Sequence, residues 1–170
     1  LACDIILVSD TTMLNEKIPS INCGMRGITY MEVTVTGPKK DLHSGHYGGA
    51  VYNPINTICK MIDSLIDENG HITVKGFYDD VIELSRKDRR MLGRAPYDAK
   101  EFMDSLGVKA LTGEKGYTTL ERIGIRPCLD VNGIWGGYTG EGSKAVIPSQ
   151  AHAKISMRLV PNQDSKTIAR

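Results

Sequence analysis

The chain has 170 residues, of which 41% are hydrophobic and 6% aromatic, and its formal net charge is +1. This is enough apolar material for one sizeable core, while the near-neutral charge and the few aromatics argue against a surface that follows nucleic-acid phosphates. The sequence contains neither an apolar segment of membrane-spanning length nor a signal-peptide pattern. We therefore expect a soluble globular protein without a nucleic-acid or membrane partner.

The four cysteines are widely spaced and lie in apolar surroundings: Cys3, Cys23, Cys59 and Cys128. No two of them form a CxxC pair, so a structural zinc site is not indicated. We expect reduced thiols and a cytoplasmic location.

The first predicted element is a buried-type strand over Asp4 to Ser9, followed by a polar connection. The chain opens inside this strand without a methionine and closes at Arg170, where a helix capped by Asp164 is only beginning. We expect it to be a piece of a larger protein, because residues 1–24 are too few to form a domain.

A half-buried strand is predicted from Gly27 to Thr36, where Met31, Val33 and Val35 alternate with polar residues. The stretch from Asp41 to Ala50 then places two histidines, His43 and His46, in a turn with three glycines. A histidine on such a loop can reach beyond its own domain. The alternative, that both are solvated loop residues, is equally open on these residues alone.

A helix is predicted to begin at Asn53 and Pro54 and to run to Ile66, before Asn69 and Gly70 stop it.

The pattern of residues 71–125 indicates an insertion between core elements. It contains one helix from Asp79 to Leu92 and another from Asp98 to Leu106, with Glu101 completing a capping box.

Two further strands follow, Arg126 to Trp135 and Ala151 to Val160, joined by the glycine-rich loop Gly136 to Pro148. In the last strand apolar and polar residues alternate strictly, which predicts one core face and one polar face. The order of elements predicts an α+β fold: a ferredoxin-like two-layer sandwich, with an antiparallel sheet, helices on one face and a helical insertion.

Three stretches carry a resemblance to a known family: GITYMEVTVTGPKKDLHSGHYGGAVYNP, RPCLDVNGIWGGYTGEGSKAVIP and KISMRLVPNQ, with VSD near the start. Their sequence and order resemble the two-metal peptidases and amidohydrolases that include cytosolic non-specific dipeptidase, carnosinase, aminoacylase and succinyl-diaminopimelate desuccinylase. The dipeptidase branch is the most similar. The resemblance spans nearly the whole chain and implies a lid or dimerisation domain over residues 25–170, truncated at its C-terminus, after the end of a catalytic domain in residues 1–24.

The resemblance also implies two divalent metal ions, zinc or manganese, in the full-length protein. Asp10 matches a carboxylate ligand of one metal, although a lone Asp at the end of a strand is usually a cap or a solvated turn. The other ligands and the catalytic glutamate would lie outside this chain. The fragment alone is therefore expected to be inactive and to bind no zinc tightly.

His43 matches the lid histidine that reaches into the partner subunit's active site and stabilises the oxyanion of the tetrahedral intermediate. His46 has no such match. Arg158 matches the arginine that binds the substrate's terminal carboxylate through two parallel hydrogen bonds. Without the resemblance, the sequence pattern favours a solvated arginine on a polar strand face.

Asn132 is a candidate polar contact to substrate, and Gly140, with the other glycines of its loop, could bring backbone N–H groups near the substrate carboxylate. One position departs from the family pattern: Ala145 stands where the dipeptidases commonly carry a threonine whose hydroxyl contacts substrate across the dimer.

Together these features predict a fragment of a dimeric metallopeptidase that hydrolyses dipeptides or N-acyl amino acids, with Asn53 to Glu68 as the candidate dimer surface. Two alternatives stay open. One is a stand-alone ferredoxin-like binding or oligomerisation module, and the other is a deacylase or amidohydrolase of a non-peptide amide.

Overall fold

The structure, a computed structural model, describes residues 3–7, 13, 16–22 and 24–170. Its strands are β1 (Gly27–Thr36), β2 (Leu42–His43), β3 (Cys128–Gly136), β4 (Val146–Ile147) and β5 (Gln150–Leu159). Its helices are α1 (Ser44–Tyr47), α2 (Pro54–Asp63), α3 (Arg86–Leu92), α4 (Ala99–Leu106), α5 (Thr119–Gly124) and α6 (Ser165–Ile168). None of the helices in this described part of the chain could serve as a membrane span.

The main sheet has three antiparallel strands in the order β1-β5-β3, and β2 pairs with β4 in a separate two-stranded ribbon. The last strand in sequence is thus the central one, with Gly27 opposite Leu159 on one side and Cys128 opposite Arg158 on the other. This is the strand order expected for the βαββ part of a ferredoxin-like fold, so the predicted α+β class is confirmed.

The core lies between one face of this sheet and the helices α2 and α6. The alternating apolar residues of β5 form the sheet side of this core. Ala151 and Ala153 are fully buried, and Ile155, Met157 and Leu159 are nearly so. Ile58 of α2 packs on the two alanines. The predicted alternation is therefore confirmed, and on the opposite face β5 carries the polar residues His152, Lys154, Ser156 and Arg158.

Helix α2 begins where the sequence predicted, because the Asn53 side chain accepts a hydrogen bond from the N–H of Ile55 and Pro54 occupies the first turn. It ends at Asp63, earlier than the predicted Ile66. Ile66 instead forms an isolated antiparallel bridge with Ile72, which pulls the chain out of the helix.

The predicted strand at Asp4 to Ser9 is wrong over its described part. Residues 4–7 form no strand, and Ile5, Ile6 and Leu7 are 86%, 75% and 90% exposed. A strand needs a neighbour to pair with, and among the described residues β1, β3 and β5 pair only with each other. Ser9 and Asp10 lie outside the described residues.

The insertion contains a cluster of ion pairs centred on Arg126, which is only 4% exposed. Its guanidinium donates to both carboxylate oxygens of Glu114 and to Glu83, and it lies over the ring of Tyr117. The buried guanidinium is therefore paired with one nearly buried carboxylate, Glu114, and one exposed carboxylate, Glu83, which is the condition under which a buried arginine is tolerated.

The same cluster explains why the predicted helix from Asp79 is wrong at its start. The carboxylate of Glu83 accepts hydrogen bonds from Arg126 and from the hydroxyl of Tyr117, and residues 81–85 form no helix. Helix α3 begins only at Arg86, where the hydroxyl of Ser85 accepts a hydrogen bond from the N–H of Asp88. Helix α4 follows the prediction, with Asp98 as its N-cap and Gly107 in the left-handed conformation at its end.

Candidate functional site

The histidine loop is held by the short β2–β4 ribbon. His43 pairs with Val146 in register, and the N–H of Ser44 donates to the carbonyl of Ala145. The Asp41 carboxylate accepts hydrogen bonds from both the N–H and the hydroxyl of Ser149, and these bonds lower the pKa of Asp41. The loop is therefore fixed to the segment that leads into the central strand.

His43 is exposed and occupies the N-cap position of α1. Its Nδ1 atom accepts a hydrogen bond of 3.0 Å from the backbone N–H of Gly45. A neutral imidazole whose Nδ1 is an acceptor carries its hydrogen on Nε2. The bond to Nδ1 thus leaves Nε2–H as the donor of the imidazole that is not used by the backbone.

Gly45 makes this arrangement possible. A Cβ atom at position 45 would lie 2.7 Å from Cε1 of His43, which is closer than real Cβ contacts allow, and 3.0 Å from Nδ1, so the His43 ring would have to move. The second histidine, His46, lies with its ring centroid 4.8 Å from that of His43. Sequence reasoning singled out His43 but missed the roles of Asp41 and Gly45, although both flank it at a distance of two residues.

Gly140 lies in the loop between β3 and β4, beside the histidine ribbon. A Cβ there would meet the hydroxyl of Tyr138 at 2.6 Å, and that hydroxyl donates to the carbonyl of Glu141. The absence of a side chain at Gly140 therefore has a packing reason, which is independent of any contact with substrate.

Arg158 and Asn132 lie on two neighbouring strands of the main sheet, β5 and β3. Arg158 is exposed near the end of β5, and Asn132 occupies a bulge between Val131 and Gly133 of β3. Bulges redirect side chains and often adjoin functional sites.

The structure brings His43 and the Gly140 loop together at one end of the sheet and places Arg158 at the other. Gln150 and Arg158 are eight positions apart in β5, which corresponds to about 27 Å of extended chain. Within one chain the ribbon that carries His43 and the end of β5 that carries Arg158 are therefore far apart.

No metal centre is assembled in the described part of the chain. Among residues 3–7, 13, 16–22 and 24–170, no three His, Cys, Asp or Glu side chains are close enough to share a metal ion. Asp10, the predicted ligand, lies outside these residues.

Comparison with known proteins assigns the family. Residues 23–170 match the family described as the peptidase dimerisation domain of M20 peptidases. The chain belongs to this family. The predicted resemblance is confirmed.

The relatives are metallopeptidases. The chain is 34% identical to the Cys-Gly metallodipeptidase dug1 of Schizosaccharomyces pombe over 98% of its own length and 35% of that protein's. The M20 family metallo-carboxypeptidase Sso-CP2 of Sulfolobus solfataricus superposes with a TM-score of 0.76 at 37% identity, covering 86% of this chain and 38% of that one. Human carnosine dipeptidase 1 superposes with a TM-score of 0.73 at 32% identity, covering 85% and 31%. The chain thus spans about a third of the length of these relatives.

Proposed function

We propose that this chain is the lid and dimerisation domain of a dimeric metallopeptidase that hydrolyses dipeptides or closely related N-acyl amino acids. In this proposal residues 25–170 form the lid, and residues 1–24 end a catalytic domain, where Asp10 serves as one metal ligand. The proposal includes two divalent ions, zinc or manganese, and a cytoplasmic location. Family membership and the names of the relatives support it.

The geometry of His43 is the observation that carries the proposal. When an amide carbonyl is attacked, negative charge develops on its oxygen, and a fixed hydrogen-bond donor aimed at that oxygen lowers the barrier. His43 offers such a donor, because the N–H of Gly45 reserves Nδ1 and leaves Nε2–H available. The donor is already oriented before substrate binds, so little reorganisation is needed.

Substrate recognition is assigned to Arg158, with Asn132 and Gly140 as further contacts. Among the described residues the side chain of Arg158 forms no hydrogen bond or ion pair, so its planar guanidinium is available to bind a carboxylate with two parallel bonds. Because the ribbon that carries His43 lies at the opposite end of β5 from Arg158, we infer that the two side chains serve the same substrate from two different subunits.

A mixing experiment tests this division of labour. His43→Ala and Arg158→Ala variants of the whole protein are each expected to lose at least about a hundredfold in activity. When the two variants are co-expressed, half of the dimers are mixed, and one of the two sites in each mixed dimer has both side chains. Activity is therefore expected to return to about a quarter of wild type.

Co-expression without recovery, in dimers shown to be mixed by tag pull-down, would contradict the role of His43 in the partner's site. His46→Ala is the matched control, since this neighbouring imidazole has no assigned role. A panel of dipeptides, N-acyl amino acids and non-peptide amides, assayed with the wild type, separates the peptidase from the amidohydrolase alternative. The absence of turnover on every substrate would favour a binding module.

A further inference from the structure

We propose that Arg26 is a positioning residue that keeps the guanidinium of Arg158 free for a substrate carboxylate. The inference rests on the proposed role of Arg158. It concerns the end of the sheet where β1 and β3 begin and β5 ends.

The register of the sheet defines the surroundings of Arg158. Its neighbours across the two flanking strands are Ile28 of β1 and Cys128 of β3. Residues directly opposite in antiparallel strands project from the same face, with Cβ atoms about 5 Å apart. Ile28, Arg158 and Cys128 therefore share one row across the polar face.

Arg26 reaches across this row from the β1 side to the β3 side. Its Nη1 atom donates to the carbonyl of Arg126 at 3.1 Å and to the carbonyl of Arg122 at 3.3 Å, and it lies 3.5 Å from Sγ of Cys128. Since β5 separates β1 from β3, the side chain must pass the end of β5, beside Arg158.

One acceptor of Arg26, the carbonyl of Arg122, lies in the last turn of α5, and the other, the carbonyl of Arg126, lies in the segment between α5 and β3. Carbonyl groups at a helix C-terminus lack helical partners and carry partial negative charge, so they attract cations. Without Arg26, these carbonyls and the nearby Asp130 carboxylate, which accepts from the thiol of Cys128 at 3.4 Å, would be the natural partners of Arg158.

Arg26 prevents this capture in two ways. It occupies these carbonyls, and its own positive charge repels a second guanidinium approaching the same acceptors. The side chain of Arg158 is exposed, and it forms no hydrogen bond or ion pair with a described residue. The two guanidinium groups and the single carboxylate of Asp130 sum to a net positive charge, which suits one carboxylate group on the ligand.

The test compares dipeptides with a free carboxylate and their C-terminal amides, using the whole dimeric protein. Arg158→Met is expected to abolish the preference for the free acid. Arg26→Met is expected to lower this preference about tenfold, through a higher KM for the free acid and with kcat within about twofold of wild type. The reason is that Arg158 would then bind the acceptors that Arg26 has left, while the groups that cleave the amide bond are unchanged. Arg26→Lys, whose side chain is shorter and has one nitrogen, is expected to lower it about threefold.

Arg94→Met is the matched control, because this exposed arginine lies on the surface after α3. A wild-type acid-to-amide preference in Arg26→Met overturns the inference. If that variant does not fold, a wild-type preference in Arg26→Lys overturns it equally. If instead Arg158→Met keeps the preference, the proposed role of Arg158 fails, so the two failures are distinguishable.

Discussion

The tautomer of His43 is set by one backbone hydrogen bond. Since the N–H of Gly45 can donate only to a nitrogen that lacks a hydrogen, the neutral ring keeps its hydrogen on Nε2 over the pH range in which the ring is uncharged. A side chain at position 45 would displace this ring before it affected anything else.

Gly45→Ala is therefore expected to reduce activity of the whole protein nearly as much as His43→Ala, by about a hundredfold, with little change in thermal stability. Gly124→Ala is the control, because a Cβ at that position would meet no atom within 4 Å. Nitrogen-15 chemical shifts of the imidazole would report the tautomer directly. Wild-type turnover in Gly45→Ala would show that the ring orientation does not matter.

At the residue scale, His43 could be found from sequence because a histidine in a glycine-rich turn is an unusual pattern. The roles of Gly45 and Arg26 could not. They depend on where a ring and a guanidinium lie in space, and the acceptors of Arg26 are about a hundred residues away along the chain.

Helix α5 depends on a single carboxylate. Glu121 is buried, forms a capping box with Thr118, and accepts two hydrogen bonds from Arg89, at 2.5 and 2.9 Å. The bonds from Arg89 lower the pKa of Glu121 from 4.5 to about 2.

This pKa predicts an acid-dependent stability. A carboxyl group whose pKa is lowered by folding stabilises the native state above its unfolded pKa, and the contribution is lost as the pH falls from 4.5 towards 2. Glu121→Gln is expected to lower the free energy of unfolding by up to about 3 kcal/mol at pH 7 and by much less at pH 2. Urea unfolding of the two proteins at both pH values measures this.

Glu68→Gln, at an exposed position, serves as the control and is expected to leave the free energy of unfolding within about 0.5 kcal/mol. If Glu121→Gln lowered the free energy of unfolding equally at pH 2 and at pH 7, the effect would come from packing and not from charge.

At the scale of elements, the sequence predicted α2, α4, β1 and β5 well. Their signals, the N-caps Asn53 and Asp98 and the alternation in β5, depend only on residues close by in the chain. The predictions failed where the secondary structure depends on residues that are distant in the chain. Glu83 is drawn to Arg126 and stays out of a helix, and the short strands β2 and β4 exist only because they pair with each other.

For the whole molecule, the surface beside α2 is the candidate dimer contact. A groove of about 900 Å³ runs between α2, the end of β1 and the histidine loop. Tyr52 and Met61 line it and are 89% and 45% exposed. Exposed apolar side chains grouped in this way are typical of an interaction surface.

Met61→Asp is expected to weaken association at least about tenfold, because a charge would be buried in an apolar contact. Sedimentation velocity over a range of concentrations measures the change, and Lys109→Asp is the control on the insertion. A dimer of unchanged affinity would move the interface to another face of the lid.

The order of the strands has a consequence for how the chain is made. The central strand β5 is synthesised after the other four described strands, and roughly 130 residues separate Gly27 from its partner Leu159, so these strands are joined by contacts of long sequence separation. While the ribosome is still translating the insertion, β1 has emerged with both edges unpaired and its valines uncovered. The nascent chain must keep this strand from associating with others until β5 appears, and that interval is when a chaperone would be needed.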